Sequence, residues 1–289
     1  MDNHFPGPLL SELLNRVPPE QIYHYTSIAG LHGILSSREV WATMAHYLND
    51  TQEFQHALSI ARYQLEIMAG RHALERQPFI RALLEALDGV ARVHVCVFSL
   101  SEERDLLSQW RGYCPPGGGY SVGLLSGPLC QILARQAFYL GPCIYDLVAQ
   151  ESLMMEVLSP IVLSLPMAKN PSRDEAKTAV VPYLGTFYQR LALVAPFMKH
   201  IAFSQEREWR IVTTPIDVHQ LSYRLGRTML IPYFPIRLDS DAIPFPLGTT
   251  IVGPTQDQSL AVRALSGFIT VTGLAGLGII PSLTPYRQL

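Results

Sequence analysis

Apolar and polar positions along this chain follow two rhythms, one near 3.6 residues and one of two, and the changes between them predict the elements. Leu9-Leu-Ser-Glu-Leu-Leu-Asn-Arg-Val17, closed by Pro18-Pro19, predicts a short amphipathic helical lead-in over residues 1–20. The β-branched and aromatic run Ile22-Tyr-His-Tyr-Thr26 predicts a strand. Ser27 then N-caps a helix from Ile28 to Ser36, with Ile28, Leu31, Ile34 and Leu35 on one face. Val40-Trp-Ala-Thr43 returns as an extended segment and delivers the turn pair Asn49-Asp50. Helices from about Thr51 to Gly70 and from about Gln77 to Gly89 follow, both apolar at three- and four-residue spacing, as an insertion covering one side of a sheet.

Further on, Arg92 to Leu100 reads as a continuous buried strand, and Ser101 as the cap of a short helix from Glu102 to Trp110. Pro115-Pro-Gly-Gly-Gly119 turns the chain into a strand from Tyr120 to Leu124; the glycines lack the Lys-Ser/Thr of a phosphate-binding P-loop. A helix is expected from Leu129 to Gln136 and a strand from Phe138 to Tyr145. Helices from Asp146 to Leu163 and from Val180 to Met198 flank a polar loop, Ala168 to Glu175. Strands at 228–234, 246–254 and 277–280, with a helix near Gln258 to Leu265, complete the pattern.

The stretch from His200 to Val212 is where charge is laid down with strand periodicity. As a strand it places Ser204, Glu206, Glu208 and Arg210 on one face, opposite Phe203, Gln205, Arg207, Trp209 and Ile211. Either this is an edge strand with a solvated Glu–Arg face, or it presents a carboxylate to a substrate that develops positive charge.

These patterns amount to an α+β fold of six to eight short strands: a single domain over residues 21–289, with helical insertions around 51–90 and 146–198. Composition adds limits. With 48% hydrophobic and 16% charged residues the chain is globular, and 22 Lys and Arg against 24 Asp and Glu give no global bias toward nucleic acid or an anionic membrane. Cys96, Cys114, Cys130 and Cys143 lie more than ten residues apart, without the spacing of a zinc site or disulfide framework, so reduced thiols in a cytoplasm are expected. No signal peptide is evident at Met1-Asp-Asn-His-Phe-Pro, and the apolar stretch from Gly267 to Ile280 is too short to span a bilayer.

In the first strand His24 and Thr26 point to one face and Tyr23 and Tyr25 to the other, so His24 either serves a cleft or is satisfied within the sheet. Tyr23-His24-x-Thr26, followed by Leu31, Ile34-Leu35 and a turn into Val40-Trp41, resembles the opening motif of ADP-ribosyltransferase-fold proteins, among them DNA-targeting toxins and RNA 2'-phosphotransferases. Arg38-Glu39 stands where those families usually carry a glycine. A closer resemblance joins Tyr23-x-Tyr25, Leu48-Asn49-Asp50-x-x-Glu53, Phe98-Ser99-x-Ser101, Gln109-Trp110-x-x-Tyr113, Glu206-x-Glu208-Trp209-Arg210, Ile251-Val-Gly-Pro254 and Pro285-Tyr286-Arg287. Their order is similar to that of a bacterial family of unknown function, DUF2971.

The transferase resemblance implies a split or curved mixed sheet and an NAD-dependent ADP-ribosyltransferase, with NAD as substrate and no metal. The acceptor is left open among nucleic acid, protein and small molecule, as is a toxin or phage-defence setting with an antitoxin or other partner protein. It assigns Glu208 as the essential carboxylate, Glu206 to the acceptor side, and His24, beside Thr26, to the ribose. Tyr25 or Tyr113 would stack on nicotinamide or adenine. Trp110 is either core or part of that stack, Asn49, Asp50 and Glu53 either a turn and helix start or ligands, and Arg210 either tunes the carboxylates or meets a pyrophosphate. The chemistry behind this is general: a carboxylate stabilises the oxocarbenium-like ribose formed when the glycosidic bond of NAD breaks. On this reading Glu208→Gln abolishes turnover and leaves the fold intact. The alternative is a nucleotide- or nucleic-acid-sensing module with the same cleft and no catalysis. A metal-dependent hydrolase would need a cluster of ligands for which no spacing is visible.

Overall fold

The alternating and helical runs settle into one mixed sheet with helices on both faces. The structure, a computed structural model, describes residues 6–48, 51–114, 118–226 and 228–284, apart from the side chains of Thr51 and Gln52. In chain order the elements are α1 (Pro8–Leu14), β1 (Gln21–Thr26), α2 (Ile28–Ser37), β2 (Glu39–Met44), α3 (Thr51–Arg71), α4 (Gln77–Ala86), β3 (Cys96–Ser101), α5 (Leu107–Tyr113), β4 (Tyr120–Leu125) and α6 (Ser126–Arg135). There follow β5 (Tyr139–Pro142), α7 (Leu147–Ser164), α8 (Arg173–Val194), β6 (Glu208–Val212), β7 (Ser222–Leu225), β8 (Leu230–Arg237), β9 (Leu247–Val252), α9 (Gln258–Thr272) and β10 (Gly278–Pro281).

Among the described residues the strands form a single sheet in the order β10-β9-β4-β1-β3-β2-β8-β7, with β6 on the other edge of β3 and β5 beyond it. Strand β3 is the branch point. Its β6 edge is paired from Val97↔Val212 to Ser101↔Glu208. Its opposite edge is shared: β1 meets it at Tyr23↔Ser101, and β2 at Thr43↔Val97 and Met44↔Cys96. The two strands therefore touch β3 at opposite ends and diverge between, leaving a wedge beside residues 98–100.

The alternation along β3 and β6 separates two cores. Val97 and Val212 pack with α3, α4, α7 and α8, through residues such as Leu65, Leu83, Val157 and Phe187. Phe98, Trp209 and Ile211 face the other way, toward Leu31, Leu35, Leu129, Leu133 and Leu265 of α2, α6 and α9. Each such leucine or phenylalanine contributes about 1.5–3 kcal/mol by leaving water, and helices of this length depend on that packing because they are marginal alone. Among the described residues one helix, Leu147–Ser164, is long and apolar enough to cross a membrane by length and composition; Leu153, Met154, Val157, Leu158, Ile161 and Val162 of it pack in the core. The four cysteines are free.

Several boundaries differ from those expected. The strand expected from Arg92 starts at Cys96, because Leu87–Arg92 is a 3-10 turn. No helix begins at Glu102: Ser101 ends β3, and its hydroxyl donates to the Glu206 carbonyl at 2.6 Å while accepting from the Glu103 N–H. Helix α8 starts at Arg173 inside the expected polar loop, behind a capping box of Ser172 and Glu175. Strand β7 was not anticipated. The charged stretch is half turn and half strand: Ile201–Glu206 is a 3-10 helix, Arg207 is left-handed at φ 43°, and the strand begins at Glu208. It is no edge strand either, since β6 is buried throughout and paired on both sides.

Candidate functional site

The wedge opens into a cleft of about 730 Å³, within the roughly 300–1,000 Å³ of small-molecule sites. From β1 and the start of α2 come His24, Tyr25, Thr26 and Gly30; from β2, Glu39, Trp41 and Thr43; from β3, Val97, Phe98 and Ser99; and from β7, Tyr223 and Arg224. Gly30 packs closely on β1: a Cβ there would stand 2.0 Å from Thr26 Oγ1 and would force that side chain to move. A smaller cavity of about 40 Å³ adjoins this cleft, sharing His24, Tyr25, Ser99 and Tyr113 with it and adding Glu206 and Glu208. Glu206 and Tyr113 also line a third hollow of about 360 Å³, with Phe203 and Gln205.

His24 Nδ1 donates to the Ser99 carbonyl at 2.9 Å, and its ring lies 4.2 Å from that of Phe98. Burial lowers its pKa to about 4, against a smaller upward pull from the Ser99 carbonyl. The imidazole is therefore neutral at physiological pH, with Nε2 as a hydrogen-bond acceptor. That suits a ligand hydroxyl.

Glu208 and Arg210, two apart on β6, share the face that Val212 presents to α3 and α8. There they meet Glu53 of α3 and Lys199, which lies between α8 and β6. Lys199 Nζ contacts Glu208 Oε2 at 2.5 Å, Glu206 Oε2 at 2.6 Å and Glu53 Oε1 at 3.2 Å. Arg210 bridges Glu208 Oε1 at 2.7 Å and Glu53 Oε2 at 2.5 Å, and donates to the Pro196 carbonyl at 2.6 Å. Glu53, Lys199, Glu208 and Arg210 are all buried. Three carboxylates against two cations leave the cluster one formal negative charge.

Burial alone would raise the Glu208 pKa, but Arg210 and Lys199 outweigh it and hold the group at about 2. Burial alone would lower that of Lys199, and the carboxylates of Glu208 and Glu53, with the bond to Glu206, raise it. The backbone is fixed with equal care. Gln150 Nε2 donates to the Lys199 and Ile144 carbonyls at 2.8 and 2.6 Å, and the Glu208 N–H donates to Tyr145 Oη at 2.9 Å.

The residues proposed from sequence thus divide. His24, Tyr25, Tyr113, Glu206 and Glu208 line the small cavity, and Thr26 lines the large one. Tyr25 is buried, edge-on to Trp110 at 4.8 Å, with its hydroxyl donating to the Glu103 carbonyl and accepting from the Leu106 N–H. It forms a wall and has no free face for stacking. Tyr113 is 41% exposed at the junction of all three cavities, and burial and the Glu206 charge raise its pKa to about 12.

Two alternatives left open by the sequence are narrowed. Trp110 is 1% exposed and donates to Asp105 Oδ1 at 2.7 Å, so it is core and offers a ligand no surface. Arg210 has its donors committed to Glu53, Glu208 and Pro196, so it tunes the carboxylates and does not meet a pyrophosphate. Asn49 and Asp50 lie outside the described residues, and Glu53 is a member of the charge cluster. Lys199 and Arg224 were missed. A lone lysine closing the apolar run Leu191 to Met198 was a signal for the first; the second needed β7.

Over residues 109–211, about a third of its length, the chain matches the family model described as a protein of unknown function, DUF2971. The match takes in Gln109-Trp110-x-x-Tyr113 and Glu206-x-Glu208-Trp209-Arg210, while the quoted motifs at either end of the chain lie outside it. Neither the curated proteins nor the solved structures contain a match.

Proposed function

We propose that the chain is an ADP-ribosyltransferase that binds NAD in the wedge between β1 and β2 and breaks its nicotinamide–ribose bond at the small cavity. The observation that carries this reading is the convergence of His24, Tyr113, Glu206 and Glu208 on one cavity of about 40 Å³ opening from a ligand-sized cleft. His24 Nε2 accepts from a ribose hydroxyl, and Tyr113, the exposed aromatic at the junction, covers the nicotinamide ring. As the bond breaks, positive charge develops on the ribose beside a cluster that is already one charge negative and needs no reorganisation.

Glu206 has the more active part in this scheme. Among the described residues only its Oε2 is drawn into the cluster, by Lys199, and its side chain also reaches the 360 Å³ hollow. It is placed to take a proton from an acceptor entering there, while Lys199 and Arg210 keep Glu208 ionised. The acceptor's nature stays open among nucleic acid, protein and small molecule.

A second reading has one observation in its favour. Both oxygens of Glu208 are already held by Lys199 and Arg210, which suits a nucleotide sensor without catalysis. Adenylate-radiolabelled NAD incubated with cell lysate separates the two. Transfer of label from NAD to another species by the natural chain, but not by Glu206→Gln, supports the transferase. Binding of NAD with all label retained in it supports the sensor.

A further inference from the structure

Strand β7 carries Arg224 into the wall of the large cleft, opposite the His24 side. Its Nη2 donates to Thr43 Oγ1 at 3.2 Å. Its Nε is buried yet has no hydrogen-bond partner among the described residues, and no carboxylate among them forms an ion pair with this guanidinium. Among the described residues Arg224 is the one arginine or lysine in the cleft lining. A desolvated donor on a permanent cation is costly unless something fills it. On β2, Glu39, Trp41 and Thr43 share the face toward the cleft, so the indole of Trp41 stands about 6–7 Å along the strand from the threonine that holds Arg224. Trp41 stacks on Tyr233 at 4.4 Å and is still 46% exposed.

We propose that Arg224 is the anion subsite of the cleft, and that it holds the phosphate of a nucleotide whose base lies against Trp41. A phosphate oxygen accepts from Nε and the remaining guanidinium donors in the forked geometry arginine offers, and the indole supplies a sequence-tolerant stacking face. The inference shares with the proposed function the reading of the cleft as a nucleotide site; it holds whether or not the nucleotide is cleaved.

The test is calorimetric titration of adenosine, AMP and ADP into the full chain, natural and Arg224→Gln, with melting temperatures as a fold control. The natural chain binds AMP and ADP about tenfold or more tightly than adenosine, and Arg224→Gln loses that advantage while keeping its affinity for adenosine. Arg224→Lys, which retains the charge without the fork, falls between them and serves in place of Arg224→Gln if that variant does not fold. Equal binding of AMP and adenosine by the natural chain, a phosphate advantage that survives the substitution, or no binding of any of the three overturns the proposal. Label transfer from NAD is read separately: loss of transfer with the phosphate preference intact sinks only the transferase, and the converse sinks only this subsite.

Discussion

Glu208 and Glu206 are two residues apart and do different jobs, because one is sealed in the ion cluster and the other stands at its rim. Removing one partner of a buried ion pair costs about 3–5 kcal/mol, so Glu208→Gln will lower the urea unfolding free energy by about that amount. Glu206→Gln, losing one contact to Lys199 at a partly open site, will cost less. Comparable losses in the two variants would contradict the cluster. Glu206→Gln, with the smaller expected loss of stability, is the cleaner probe of activity. His24 gives a pH test. Its proton is bound near pH 6.5 in the unfolded chain and near about 4 in the folded one. Between those values the unfolded state holds more protons, so the stability due to neutral His24, complete above 6.5, is lost as pH falls toward 4. His24→Asn keeps a donor for Ser99 and removes the titration, so its urea midpoint will fall less over that window; identical slopes would refute the assignment. Sequence pointed to both residues by motif. It did not reveal Lys199, whose role depends on three carboxylates drawn from α3, the 3-10 turn and β6.

At the scale of elements, apolar, aromatic and β-branched runs were sound guides to β1, β3, β4 and β9, and period-two spacing was misleading from Ile201 to Arg207. There the alternation of charge reflects anchoring. His200 Nδ1 accepts from the Ala202 N–H, the Ser101 hydroxyl donates to the Glu206 carbonyl, and Arg207 pairs with Glu102 and Glu103. All but the first of these bonds are nonlocal, so the local pattern could not distinguish turn from strand. The start of α8 was legible in principle from Ser172-x-x-Glu175, and Ser172→Ala will destabilise the protein by about 1 kcal/mol, measured by urea denaturation; no change would mean the cap is idle. In β4 a Cβ on Gly123 would meet the Thr249 carbonyl oxygen at 2.4 Å, beside the register shift against β9. Gly123→Ala will cost about 1–3 kcal/mol through forced strand separation, and a neutral result would show that the β4–β9 pair can relax.

For the molecule as a whole, the decisive feature is how one strand serves two neighbours on the same edge. Because β1 and β2 meet β3 only at its ends, the sheet is continuous yet carries a cleft through its middle. The histidine of one strand and the carboxylates before and within another thereby line a common cavity. Apolar and β-branched runs predicted the strands and the α+β class but not this divergence, which depends on registers between segments some fifty to eighty residues apart. Proton NMR of NAD incubated with the purified chain, and with Glu206→Gln, tests the central claim that this junction cleaves the nicotinamide–ribose bond. Free nicotinamide accumulating with the natural chain, and lost in a folded Glu206→Gln, is the result predicted here. Intact NAD in both samples, with no rise in melting temperature on adding it, would contradict it.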